Sequence, residues 1–212
     1  MNYFSDVGAL ARKDLRLELR SRDTFLSMVL FVVATLVVFS FSLPAQTEAE
    51  ASYGLLWVAL LFTAILGLTR AFAAEREQRV LDGLVLAPCD RSAIWLGKAL
   101  AVVAFLALAE LVALPAFALF FEPVTWELVA AVVLADLGLA AVGTLLAAMA
   151  AASRTRELIL PLLFLPLAIP LVVGGVGASV STDPGRYLLF LGLYDAVFAI
   201  LCWASFEYVV SE

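Results

Sequence analysis

The chain has 212 residues, 64% of them hydrophobic and 15% charged. That balance excludes a soluble domain of this size, and the long, uniformly apolar runs exclude barrel strands, which would alternate. The net charge of −6 says little about partners, because the placement of the charges matters more than their sum; no nucleic-acid partner is expected.

Residues 5–22 predict a basic amphipathic helix. Arg12, Arg16 and Arg20 recur at i, i+4 and i+8, with Lys13 beside them. Val7, Leu10, Ala11, Leu15 and Leu17 lie on the other side, with Asp14 and Glu18 among them. Such a helix lies along a membrane surface with its arginines near lipid phosphates. The plainer reading is a positive flank that sets topology alone. Asp14 and Glu18 would be costly against lipid, so they are expected to face protein, with Arg76 or Arg79 as partners. The charges in this segment, with no short apolar core among them, argue against a cleavable signal peptide.

Six apolar spans follow, at about 24–43, 51–69, 93–121, 128–152, 158–180 and 187–210, each near or above the ~20 residues that cross a bilayer. The chain therefore reads as one all-α transmembrane domain. Pro161, Pro166 and Pro170, followed by Gly174, Gly175 and Gly177, predict a fifth span that is kinked or partly non-helical in its second half. Tyr53, Trp57, Trp126, Tyr187 and Tyr208 near span ends predict interfacial belts. Glu110, Asp136 and Asp195 lie inside spans, where an acid is expensive unless paired or neutralised. Three roles stay open for them: hydrogen-bonded structural groups, the lining of a polar substrate cavity, or a proton relay.

The charged stretch 74–92, between the second and third spans, is the part around which the rest is organised. A short helix is predicted over Glu75–Leu86, ended by Ala87-Pro88, with Asp90 or Ser92 capping the next helix. A plain hydrophilic loop is the alternative. All of the chain's 13 basic residues except Arg186 fall on one side of a six-span arrangement. That bias places both termini and the 74–92 loop in the cytoplasm.

The chain contains no histidine, no GxxxxGK[ST] loop and no HExxH. Cys89 and Cys202 are too separated in topology to suggest a disulfide or a zinc site. No catalytic constellation is visible, so the chain is expected not to be an enzyme by itself. No cofactor or metal is expected to be bound by it, and any ATP must be bound by a separate protein.

These features resemble the ABC-2 class of transporter permeases, which share a basic N-terminal helix, six spans and a cytoplasmic loop with a coupling helix. More narrowly, EREQRVLDGLVLAPCDRSAIWLGK is similar to the loop of the haem exporter protein B (CcmB) family of cytochrome c maturation. GLLWVALLFTAILGLTRAFAAE and LPLLFLPLAIPLVV are similar to that family's second and fifth spans. The resemblance implies an ABC-2 or type V exporter-like fold in the bacterial cytoplasmic (inner) membrane. It implies a separate cytoplasmic ABC ATPase subunit, haem-handling membrane proteins and a haem chaperone as partners, and haem as the cargo of the complex. ATP hydrolysis would be coupled to haem delivery and release of the loaded chaperone. A homodimer is expected, since six helices make half of a usual ABC transmembrane unit. Arg76, Arg79, Leu81, Asp82, Leu84 and Pro88 are the expected ATPase contacts, with Leu81 and Leu84 as apolar knobs. The alternatives are an ABC-2 permease for a lipid or polysaccharide precursor, and a non-transporting membrane scaffold for cytochrome c maturation.

Overall fold

The computed structural model describes residues 3–21, 23–44, 48–70, 90–152 and 156–211. Among them the elements are α1 (Tyr3–Ser21), α2 (Asp23–Ser42), α3 (Ala49–Arg70), α4 (Arg91–Phe120), α5 (Trp126–Ala152), α6 (Arg156–Val180) and α7 (Gly185–Ser211). α2 to α7 are each long and apolar enough to cross a membrane. Each matches a predicted span to within a turn. All are helical because lipid offers no partner to a free backbone amide, so the segment must satisfy itself.

The helix ends follow local chemistry. Asp90 caps α4: its Oδ1 accepts from the Ser92 N–H at 2.9 Å and from Ser92 Oγ at 2.7 Å. Of the two predicted caps, Asp90 is the one used. α4 closes where the Phe121 N–H donates to the Phe117 carbonyl at 2.9 Å. Thr125 then opens α5, its Oγ1 accepting from the Leu128 N–H at 3.3 Å.

α5 is the hub. It packs against α3, α4, α6 and α7, and 67% of its span is buried, against 22% for α2 and 17% for α7. Its sequence explains this. Ala131, Ala135, Gly138, Ala140, Ala141, Gly143, Ala147 and Ala150 leave most of its circumference small. In lipid, helices associate by close packing rather than by escape from water, so small residues let neighbours approach. A methyl added at Gly143 would meet the Leu68 side chain of α3. Trp95 pins α4 to α5 by donating its indole N–H to the Ala141 carbonyl at 3.2 Å.

Two expectations are corrected. α6 does not become non-helical after its prolines: it runs as one helix to Val180 with Pro161, Pro166 and Pro170 inside it. Its glycines are packing positions, where Gly174 faces Leu191, Gly175 faces Trp57 and Gly177 faces Tyr187. The Tyr194 hydroxyl of α7 donates to the Leu167 carbonyl at 2.7 Å, within the stretch where proline breaks the amide ladder. Secondly, Tyr53 and Trp57 are not belt residues. Both are buried; Tyr53 reaches the Pro123 carbonyl at 3.4 Å and Trp57 donates to Ser179 Oγ at 3.2 Å. Trp126 and Tyr208 are exposed, as a belt requires, while Tyr187 is half-buried against Gly177.

Candidate functional site

The expected ATPase contacts Arg76, Arg79, Leu81, Asp82, Leu84 and Pro88, and the helix expected over 75–86, lie outside the described residues. The residues flanking them do not. α4 begins at Arg91, immediately after the Asp90 cap, and its first turns are covered by α1.

α1 presents Val7 and Ala11 as buried residues and Leu10 and Leu15 as half-buried ones. The predicted apolar face is thus seated on α4 through these four residues, while Leu17, expected on it, is exposed. Gly97 makes the seat: a methyl there would come within 2.8 Å of Leu10 Cβ and 3.2 Å of the Val7 carbonyl. Asp14 faces protein as expected; the expected partners Arg76 and Arg79 lie outside the described residues, and among the described residues two lysines meet it. One is Lys98, whose Nζ lies 3.2 Å from Asp14 Oδ2 while its side chain is 3% exposed. Lys13, expected beside the arginine stripe, sits 3.1 Å from Asp14 Oδ1. Arg12 and Arg16 are exposed, while the side chains of Glu18 and Arg20 lie outside the described part.

The second polar feature lies inside the helix bundle. Glu110 of α4 and Asp136 of α5 are 8% and 4% exposed, and their carboxyls lie within hydrogen-bonding reach of each other. They border a cavity of about 10 Å³, near the minimum for a single water. Trp57 and Leu60 of α3, Leu139 of α5 and Leu171 of α6 complete its walls. The arrangement brings three neighbouring helices against α5 around the two carboxyls.

Asp195 does not join that pair. It lies across from Gly138, where an added methyl would come within 2.5 Å of Asp195 Oδ1 and 2.9 Å of Leu171 Cδ2. Gly138 and Asp136 are about 200° apart around α5, so the two acidic sites occupy opposite faces of the hub. Among the described residues neither Asp195 oxygen has a hydrogen-bond partner. Cys202, also on α7, is a buried free thiol.

Lys98 and Gly97 are the residues of these sites to which composition and spacing assign no role. In the sequence Lys98 counts only as one more positive charge at a span end. The signal available for it is its position a full turn inside an apolar run, where a lysine needs a partner.

The CcmB protein family model matches residues 6–207. The chain is similar to the heme exporter protein B of Rhodobacter capsulatus, 34% identical over 209 residues covering 94% of this chain and 96% of the relative. It is similar to the protein of that name from Paracoccus denitrificans, 34% identical over 194 residues with 87% and 89% covered. The Bradyrhizobium diazoefficiens protein is 30% identical over 204 residues, with 94% and 90% covered. With that match spanning α1 through most of α7, this multi-pass membrane chain belongs to the CcmB family.

Proposed function

We propose that the chain is the membrane permease subunit of a haem export system of cytochrome c biogenesis. It works with a separate cytoplasmic ABC ATPase and is not an enzyme by itself. Hydrolysis by that partner is coupled to haem delivery and to release of a haem-loaded chaperone. Haem is cargo of the complex, and this chain holds no resident cofactor. The observation that carries the reading is near full-length similarity to relatives named heme exporter protein B. The distribution of basic residues supports an inner-membrane orientation with both termini in the cytoplasm. On that orientation the Asp90 end of α4, the α1 seat and residues 74–92 share the cytoplasmic face, where Arg76, Arg79, Leu81, Asp82, Leu84 and Pro88 meet the ATPase. The poorly covered α2 and α7 leave apolar surface for lipid and for a second copy of the chain.

The test is purification of the tagged full-length protein from its own membrane in mild detergent, with co-purifying proteins identified by mass spectrometry. An ATPase together with haem-handling membrane proteins is the expected result. An ATPase without them would redirect the reading to another cargo. No ATPase across repeated preparations would leave a scaffold.

A further inference from the structure

Asp14 and Lys98 are 84 residues apart in sequence, yet they meet where Lys98 is almost fully enclosed. A lysine at that depth persists where its ammonium is met by charge and hydrogen bonds. The same two helices touch at two further points. Leu10 and the Val7 backbone lie directly on Gly97. Ser92 Oγ lies 3.1 Å from the Tyr3 hydroxyl and 2.7 Å from Asp90 Oδ1. With Tyr3 donating to Ser92 and Ser92 donating to Asp90, the three groups form one chain of hydrogen bonds. The contacts therefore run along α1 from Tyr3 to Asp14, and along α4 from its cap to Lys98.

Apolar burial is non-directional and by itself would let α1 rotate or slide on α4. An ion pair at one end and a hydroxyl chain at the other fix both rotation and register. We infer that Asp14 and Lys98 are positioning residues that lock α1 to the entrance of α4, so that the two turn as one body. The direction in which the chain enters α4 at Asp90 is then set by α1. The consequence for transport rests on the proposed function: a push delivered just before Asp90 moves α1 and α4 together instead of bending the chain at the cap.

The experiment uses the full-length chain in lipid nanodiscs, with Cys89→Ser and Cys202→Ala as background. Spin labels at Arg12→Cys on α1 and Leu100→Cys on α4, both exposed positions, report the inter-helix distance by pulsed EPR. The parent gives one narrow distribution. Asp14→Asn widens it at least twofold, Asp14→Glu stays near the parent, and the exchange Asp14→Lys with Lys98→Asp narrows it again. An unchanged distribution in Asp14→Asn overturns the lock. If Asp14→Asn does not accumulate, the exchanged pair decides: a narrow distance supports the lock and a wide one overturns it. Cytochrome c maturation is measured in the same strains, and its loss in Asp14→Asn with recovery in the exchange is expected. A widened distance with undiminished maturation sustains the lock and overturns the consequence drawn from it for transport.

Discussion

Glu110→Ala is the most informative single change in the bundle. It removes one of two carboxyls that lie within hydrogen-bonding reach of each other and are 8% and 4% exposed, and it leaves Asp136 enclosed without that partner, beside a cavity that grows by the missing side chain. Leaving a buried polar group unsatisfied costs about 1–3 kcal/mol. For a chain of this length each kcal/mol moves Tm by about 2–4 °C, so a cost of ~2 kcal/mol lowers Tm by ~4–8 °C. Glu110→Gln retains a donor for Asp136 and is expected to lose less than half of that. Glu110→Ala combined with Asp136→Ala is expected to cost less than the sum of the singles, because the second truncation removes the stranded group. Thermal unfolding in detergent, followed by fluorescence-detected size-exclusion chromatography, reads these variants, Asp136→Ala alone included, against the parent. A Glu110→Ala protein as stable as the parent, or strictly additive singles, would refute the paired-carboxyl account.

Gly97→Leu forces a side chain onto Leu10 and the Val7 carbonyl; α1 should lift from α4, seen as new protease cleavage within residues 3–21, with the six spans still inserted. Gly138→Leu drives bulk into Leu171 and Asp195 and should cost about 1–3 kcal/mol as overpacking, read as a lower Tm. Trp57→Phe loses the hydrogen bond to Ser179 and should lower Tm by about 2–4 °C, the equivalent of ~1 kcal/mol. On the proposed function, Leu84→Asp should weaken ATPase-subunit binding about 30-fold, the ~2 kcal/mol of an apolar hot spot. Membrane level should be unchanged and cytochrome c maturation reduced; normal binding and maturation would remove Leu84 from the contact.

The spans, the N-terminal helix and the Asp90 cap were legible in the sequence because each depends on a short stretch of chain. A run of about 20 apolar residues must satisfy its own amides in lipid, and a cap needs a side chain within a few positions of the helix start. That an intramembrane acid needs a partner was equally legible, as a demand without an address. Which partner meets it was decided by the packing alone. Glu110 finds Asp136 because α4 lies against α5, whereas Asp195, on a neighbouring helix, arrives at the opposite face of that hub. Asp14 finds Lys98 because Gly97 lets α1 sit directly on α4. Trp57, at a span end, leaves the belt because Gly175 offers its ring a seat. Hydropathy and amide satisfaction act within a segment and are written along the chain. The pairing of polar and aromatic side chains acts between segments, so it depends on which helices become neighbours and which glycines let them close.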